Sequence, residues 1–208
     1  MTLNPWLSIP GAIYDSHMAA VGVKQLQALN QIMQKQIRDY SPHRLAICGV
    51  ATGNGLEHTR DVGQVYGIDI NPEYLEICRH RFDHMRNITF LLKDMSTDSL
   101  EITAIDLVIA NLFVEYIDLA VFFERIGACL KPNGTASIVI QKNPEKTAAI
   151  STSQFSKPFE ALTPIIQERN EFVTRRVAEE HGLIPVNSEY FGLPNGKSLI
   201  RIDVNKPR

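Results

Sequence analysis

The chain has 208 residues, of which 44% are hydrophobic and 21% are charged, and its formal net charge is -2. This length is enough to enclose the hydrophobic core of one domain. A near-neutral chain without a run of basic residues argues against nucleic acid as a partner. No apolar stretch is long enough to span a membrane, and the N-terminus lacks the charged-then-apolar signal pattern, so we expect a cytoplasmic protein.

The cysteines and paired histidines do not indicate a metal site. Cys48, Cys78 and Cys129 are odd in number, far apart and all in apolar segments, which is typical of reduced core thiols. His80 and His84 are four residues apart on a predicted helix. They lie away from its apolar face and lack the glutamate of a zinc-protease motif, so we expect them at the solvated surface.

The first 40 residues are predicted to form a helical cap. Residues 1–18 are interpreted as an irregular lead-in, and a helix is expected to follow as far as about Tyr40. Its apolar positions recur at helical spacing: Leu26, Leu29, Met33 and Ile37. The pair Ser41-Pro42 then ends the helix before the first strand.

Tyr14 and His17 are three residues apart and would share one face if the helix begins early. Both are then candidate contacts to a ligand, and His17 is a candidate base. The alternative is a packed tyrosine and a surface histidine.

A glycine-rich turn directly follows an apolar strand at residues 45–48. Glycine tolerates positive φ and lets the backbone approach a ligand closely. The spacing of Gly49, Gly53 and Gly55 fails the dinucleotide fingerprint in both frames, and no Gly-Lys-Ser/Thr follows as in a P-loop. The turn therefore fits a ligand without a pyrophosphate, and the alternative is an ordinary strand-to-helix turn.

A second apolar strand at residues 65–70 carries one acid at its tip, Asp69. That carboxylate is placed to accept both hydroxyls of a ribose. A strand, a glycine turn, a helix, a strand and an acid together are typical of a nucleoside-binding βαβ unit. Asn71 and Pro72 then supply the N-cap and the first-turn proline of the next helix.

The remaining elements continue the strand and helix alternation and end in a hairpin. A loop over the active-site edge is expected at residues 143–162, a helix is expected to open at Thr163-Pro164, and Gly182 is expected to end it. The predicted segments are a strand at 105–111, a helix at 119–130, and two strands at 184–191 and 198–204 joined by Pro194-Asn195-Gly196.

Five segments in order resemble the motifs of the class I S-adenosylmethionine-dependent methyltransferases. They are the glycine turn 49–55, residues 67–71, residues 91–95, the segment 112–116 and the Leu-Lys-Pro-Asn-Gly-Thr turn 130–135. The resemblance implies a doubly wound α/β fold, with a seven-stranded mixed sheet whose strand 7 is antiparallel. It also implies a single domain over residues 1–208, with the cap at 1–40 and the Rossmann-like core at 42–208.

The same resemblance implies S-adenosylmethionine as cofactor and assigns roles to individual residues. Asp69 would bind the ribose, Asp94 the adenine amino group, and the backbone amide of Met95 the ring. The implied cofactor contacts are Gly49, Ala51, Thr52, Gly53, Asn54, Gly55, Asp69, Ile70, Asp94, Met95, Asn111 and Leu112. The candidate catalytic residues are Tyr14, His17 and Tyr116, with Glu115 beside Tyr116, and no metal is implied.

Two positions depart from the family pattern. Ile47 stands where many members carry an acid that orients the methionine amino group, so that group must find backbone carbonyls, Asn54 or another side chain. Ala51 replaces the middle glycine of the turn.

A small-molecule acceptor is expected, because Asn111 is not followed by the Pro-Pro-aromatic run that marks amino-group methylation of adenine, cytosine or glutamine. RNA or protein methylation and a non-catalytic regulatory module remain alternatives. The sequence leaves the oligomeric state open, a homodimer included.

Overall fold

The computed structural model describes residues 4–208 and contains one seven-stranded mixed sheet with the strand order β3-β2-β1-β4-β5-β7-β6. Strands β1 to β5 are parallel, and β7 is antiparallel to both β5 and β6. The predicted fold class is confirmed. The strands are β1 Arg44–Cys48, β2 Gln64–Asp69, β3 Ile88–Leu92, β4 Ile105–Asn111, β5 Leu130–Lys142, β6 Ile184–Gly192 and β7 Ser198–Asn205.

Five α-helices accompany the sheet, and four short 3-10 turns connect elements of the described chain. The helices are α1 Gly11–Ala19, α2 Gln25–Tyr40, α3 Pro72–Arg81, α4 Leu119–Cys129 and α5 Glu171–Glu180. The 3-10 turns are Pro5–Ser8, Leu56–Thr59, Val114–Tyr116 and Lys157–Leu162.

The central strands are buried on both faces, so they consist of nearly continuous apolar residues. In β1, Ala46 and Cys48 belong to the core under α4 and α5, whereas Leu45 and Ile47 belong to the core under α2 and α3. Successive side chains of a strand point to opposite faces, which explains this division. All three cysteines are buried and free, as expected for core thiols.

Several boundaries match the sequence prediction. Strand β4 has the predicted limits, and α2 ends at Tyr40. The side chain of Asn71 accepts hydrogen bonds from the amides of Glu73 and Tyr74 and so caps α3, as predicted. Gly182 follows α5 with a φ of +74°. His80 and His84 are exposed, as expected.

The lead-in to the cap was predicted wrongly as irregular. Residues Pro5–Ser8 form a 3-10 turn and Gly11–Ala19 form α1, while the prediction for residues 1–3 lies outside the described residues. Helix α1 contacts α2 and α3 and does not cover the sheet. Its buried residues are Gly11, His17 and Met18, which do not form an apolar stripe along one face. Hydrophobic periodicity therefore could not reveal it.

Two further helix predictions need correction. The glycine turn leads into the short 3-10 turn Leu56–Thr59 instead of an α-helix. Helix α5 begins at Glu171, not at Thr163-Pro164, because Asn170 caps it by accepting a hydrogen bond from the amide of Val173 at 2.8 Å. The apolar residues before Asn170 pack against the loop cluster near the N-terminus, which produced a misleading helical spacing.

Candidate active site

A cleft opens beyond the carboxyl ends of the parallel strands. In doubly wound sheets this edge is where ligands bind. The cleft is lined from β3 to β5 and is covered by α1 and by the segment after β5, so the predicted loop over the active-site edge is observed there.

The first half of the glycine turn reaches the cleft. Gly49 has a φ of +70°, and a Cβ atom built on it would lie 2.7 Å from the ring of Phe113. Only glycine satisfies both the left-handed backbone and this close approach. Ala51 also lines the cleft and has a φ of +48°, so its backbone is strained relative to glycine.

Asp69 lies at the end of β2 and is 8% exposed. Its Oδ2 accepts a hydrogen bond from the amide of Ala51 at 2.8 Å, and its Oδ1 accepts one from the amide of Asn71 at 2.9 Å. Burial raises the pKa of this carboxyl to about 6, and the backbone donors offset part of that effect. Each oxygen keeps a second lone pair that can accept a hydrogen bond from a ligand.

Asp94 and Met95 line the same cleft just beyond β3, and Ile70 lines it beyond β2. Oδ1 of Asp94 accepts a hydrogen bond from the amide of Ser96 at 2.8 Å. Among the described residues, nothing donates to its second oxygen, Oδ2, which remains available to a ligand.

Asn111 and Leu112 line the cleft at the end of β4. The side-chain amide of Asn111 exchanges two hydrogen bonds with that of Gln36, at 3.0 Å and 3.2 Å. It therefore joins α2 to the sheet. Leu112 has a φ of +53°, and its amide donates to the carbonyl of Val139.

The second half of the glycine turn faces away from the cleft. Thr52, Gly53 and Asn54 border a separate shallow depression next to Arg81, and Gly55 lines neither. Their polar groups already have partners. The Thr52 hydroxyl donates to Asp15, and the Asn54 side chain donates to the carbonyl of Leu26 at 2.9 Å.

Tyr14, His17 and Tyr116, the three candidate catalytic residues, all line the cleft. His17 is 3% exposed, and its Nδ1 lies 2.9 Å from the hydroxyl of Ser153. Burial, and secondarily the charge of Lys197, lowers the pKa of His17. The imidazole is therefore neutral at neutral pH.

Sequence reasoning missed an aromatic lining contributed by distant parts of the chain. We call Trp6, Tyr14, Tyr116 and Phe159 the aromatic wall. The ring centroids of Trp6 and Tyr116 lie 5.0 Å apart, and those of Trp6 and Phe159 lie 6.3 Å apart. No local pattern signals this wall, because it forms only when the N-terminal turn meets the loop after β5.

Two orphaned polar atoms in the cleft suit a polar ligand. The hydroxyl of Tyr74 and Oε2 of Glu115 are buried and have no hydrogen-bond partner among the described residues. Buried polar groups almost always form a hydrogen bond, so the lack of one at these two atoms is unusual. With the free lone pairs of Asp69, they make the cleft fit for a nucleoside carrying further polar groups.

No helix within residues 4–208 combines the length and the apolar character that crossing a membrane requires.

Residues 47–138 match the family model of the methyltransferase domain, whereas no curated protein sequence matches the chain. Solved structures with the same fold are numerous. The N-methyltransferase NodS of Bradyrhizobium japonicum, in complex with S-adenosyl-L-homocysteine, is 13% identical with a TM-score of 0.72, and the match covers 99% of this chain and 100% of that one.

Two other solved structures are similar at low identity. The 1,6-didemethyltoxoflavin-N1-methyltransferase of Burkholderia thailandensis is 15% identical with a TM-score of 0.67, covering 100% of this chain and 92% of that one. The phosphoethanolamine N-methyltransferase 2 of Haemonchus contortus is 15% identical with a TM-score of 0.67, covering 86% of this chain and 53% of that one. At these identities the likeness shows the fold.

Proposed function

We propose, on the premise that the chain belongs to the class I S-adenosylmethionine-dependent methyltransferases, that its acceptor is a small molecule held in the cleft between the glycine turn and the aromatic wall. The proposal includes a single domain over residues 1–208, with the cap at 1–40 and the core at 42–208, and a cytoplasmic location.

The observation that carries the proposal is the arrangement of two acids on adjacent parallel strands. Asp69 ends β2 and Asp94 follows β3, and both line one cleft beside Gly49. Asp69 would hold the ribose hydroxyls through its free lone pairs, and Asp94 would accept the adenine amino group. The backbone of Gly49 and Ala51 would face the methionine portion.

The chain's own residues position the reactants. When bound, S-adenosylmethionine supplies a methyl group on a positively charged sulfur, which makes the methyl carbon susceptible to a nucleophile. Alignment of the acceptor with that carbon is the main contribution a protein can make to such a displacement. The aromatic wall and the covering loop border the acceptor side of the cleft, and His17 is our candidate for the group that accepts a proton from the acceptor.

The composition of the cleft favours a small acceptor over a nucleic acid. Lys93 is the only lysine or arginine among the described lining residues. A nucleic acid requires several cationic side chains to neutralise its phosphates. Two of the similar proteins, the phosphoethanolamine N-methyltransferase and the 1,6-didemethyltoxoflavin-N1-methyltransferase, are named for small-molecule acceptors, which agrees with this choice.

Calorimetric titration tests the proposal. S-adenosylhomocysteine should bind with a dissociation constant in the micromolar range, or about -7 to -8 kcal/mol. NADH should not bind, because the glycine spacing does not form a pyrophosphate site. Binding of NADH without binding of S-adenosylhomocysteine would contradict the assignment.

A further inference from the structure

Glu115 is a buried acid that lines the cleft and has one oxygen without a hydrogen-bond partner among the described residues. It lies in the 3-10 turn after β4 and is 5% exposed. Its Oε1 accepts a hydrogen bond from the amide of Gln141 at 2.9 Å, whereas Oε2 has no hydrogen-bond partner among the described residues. Burial raises the pKa of this carboxyl to about 7.

Arg169 lies close enough for its charge to offset part of the rise in the pKa of Glu115, but its guanidinium makes its hydrogen bonds elsewhere. The guanidinium of Arg169 donates to the carbonyls of Val114 and Ile117, at 3.0 Å and 2.6 Å. No ion pair to Glu115 within 4.0 Å occurs in the described part of the chain. A buried carboxylate without a partner is destabilising, so a ligand that donates to it would recover the lost interaction.

The position of Glu115 along the sheet edge separates it from the nucleoside site. Asp69 ends β2, whereas Glu115 is hydrogen-bonded to Gln141 near the end of β5. Between them lie β1 and β4, and three strand spacings amount to about 14 Å. Glu115 therefore belongs to the acceptor side of the cleft.

The aromatic wall adjoins this acid. Tyr116 follows Glu115 in the chain, and its ring packs edge-on against Trp6. The aromatic faces offer apolar contact and attract a cation that comes close to them. The acid accepts a hydrogen bond and the aromatic faces attract positive charge. Together they suit a ligand group that carries both a hydrogen-bond donor and a positive charge.

We propose that the methyl acceptor is a small amine with an apolar or aromatic substituent, whose nitrogen donates a hydrogen bond to Oε2 of Glu115 while the substituent packs on the aromatic wall. This inference rests on the proposed function. A protonated amine can transfer one proton to Oε2, which leaves a neutral carboxyl group and a neutral amine with a free lone pair. That lone pair is the nucleophile the reaction needs.

Matched pairs of probes test the inference by binding. Wild-type protein saturated with S-adenosylhomocysteine is titrated with benzylamine and benzyl alcohol, then with phenethylamine and 2-phenylethanol. In each pair the amine should bind about fivefold tighter or more, because a charge-assisted hydrogen bond is stronger than a neutral one. No preference for the amine, with S-adenosylhomocysteine bound, would overturn the inference.

The variant Glu115→Gln keeps an oxygen for the amide of Gln141 but removes the charge. The preference for the amine should fall to about twofold or less, while the affinity for S-adenosylhomocysteine stays within about twofold of the wild type. Glu168→Gln is the control, since Glu168 is an exposed acid lining the same cleft, and this variant should keep the preference.

Two other results would contradict the assignment of Glu115. A preference that survives Glu115→Gln shows that another group recognises the amine. A loss of affinity for S-adenosylhomocysteine in Glu115→Gln of about tenfold or more shows that Glu115 holds the cofactor's own amino group. A wild-type protein that does not bind S-adenosylhomocysteine contradicts the proposed function itself, and the inference falls with it.

Discussion

Asp69 illustrates how a single acid can serve both the turn and the ligand. Its two oxygens fix the amides of Ala51 and Asn71, so the carboxylate is held in place before any ligand arrives. Its burial is nevertheless costly enough to raise its pKa to about 6. Perturbed acids in clefts are frequent at functional sites, which agrees with a ribose-binding role.

Replacing Asp69 with alanine should weaken the binding of S-adenosylhomocysteine about tenfold to a hundredfold. Hydrogen bonds to a charged group are worth roughly 1.5 to 3 kcal/mol each, and water entering the vacated space replaces part of the loss. Calorimetry on variant protein with a native circular dichroism spectrum gives the measurement. Asp83→Ala, at an exposed acid, is the control and should bind normally. Unchanged affinity in a folded Asp69→Ala protein would show that Asp69 does not touch the ribose.

Asp94 should distinguish adenine from hypoxanthine. In the wild type, S-adenosylhomocysteine should bind tighter than its inosine analogue, because only adenine offers an amino group to the carboxylate. Asp94→Asn should reduce the ratio of the two affinities, S-adenosylhomocysteine over the inosine analogue, by about fivefold or more. Competition titrations measure both ligands, and Glu101→Gln, at an exposed acid in the loop that follows, is the control. Equal losses for the two ligands would exclude adenine recognition by Asp94.

At the scale of elements, the sequence predicted what depends on local pattern. The parallel strands follow from continuous apolar runs, α3 from Asn71-Pro72, and the closing hairpin from two strands around a Pro-Asn-Gly turn. The start of α5 was wrong because the cap at Asn170 was overlooked in favour of Thr163-Pro164. Helix α1 was missed because its contacts are made to other helices and to the cleft.

In the cleft, too, the sequence predicted only what depends on local pattern. The acids that end β2 and β3 could be located from the sequence, since a strand end fixes where the side chain lies. The aromatic wall and the orphaned Oε2 of Glu115 could not, because each depends on segments far apart in the chain. The second half of the glycine turn was assigned to the ligand from resemblance, yet its polar groups bind α1 and α2.

One acid of helix α1, Asp15, makes two polar contacts that attach the helix to the rest of the domain. Asp15 accepts a hydrogen bond from Thr52 and pairs with Arg81 at 2.6 Å. Asp15→Ala should increase hydrogen exchange of the α1 amides about fivefold to thirtyfold, as expected for a local loss of one to two kcal/mol. Exchange in the central strands should not change.

The control for this effect is Glu76→Ala, which removes an exposed acid paired with Arg79 on α3. It should leave α1 unaffected, because exposed ion pairs contribute little. Mass spectrometry after timed exchange resolves the two segments. Equal exchange of α1 in Asp15→Ala and in wild type would show that other contacts hold the cap.

At the scale of the whole molecule, the buried acids should make stability depend on pH. The pKa of Glu115 is raised to about 7 and that of Asp69 to about 6, both chiefly by burial. The folded state therefore holds these protons more tightly than the unfolded chain. Their contribution to the free energy of unfolding is fully present below about pH 4 and is lost as the pH rises through about 6 to 7.

The variant Glu115→Gln isolates the contribution of Glu115 to the pH dependence of stability. Between pH 5 and pH 8 the wild type should lose roughly 2 kcal/mol more stability than the variant, since one pKa unit corresponds to about 1.4 kcal/mol. Urea denaturation at both pH values measures the difference, and the other titrating groups cancel in the comparison. Parallel pH profiles for the two proteins would mean that Glu115 titrates normally.

The central claim is that one cleft at the ends of β3, β2 and β1 binds S-adenosylmethionine. A crystal structure of the complex with S-adenosylhomocysteine tests it most directly. We expect the ribose hydroxyls on Asp69, the adenine amino group on Asp94, and the sulfur on the side of Gly49 that faces Leu112. A nucleoside bound elsewhere, such as in the depression beside Thr52 and Arg81, or bound in the cleft without contact to Asp69, would contradict the account.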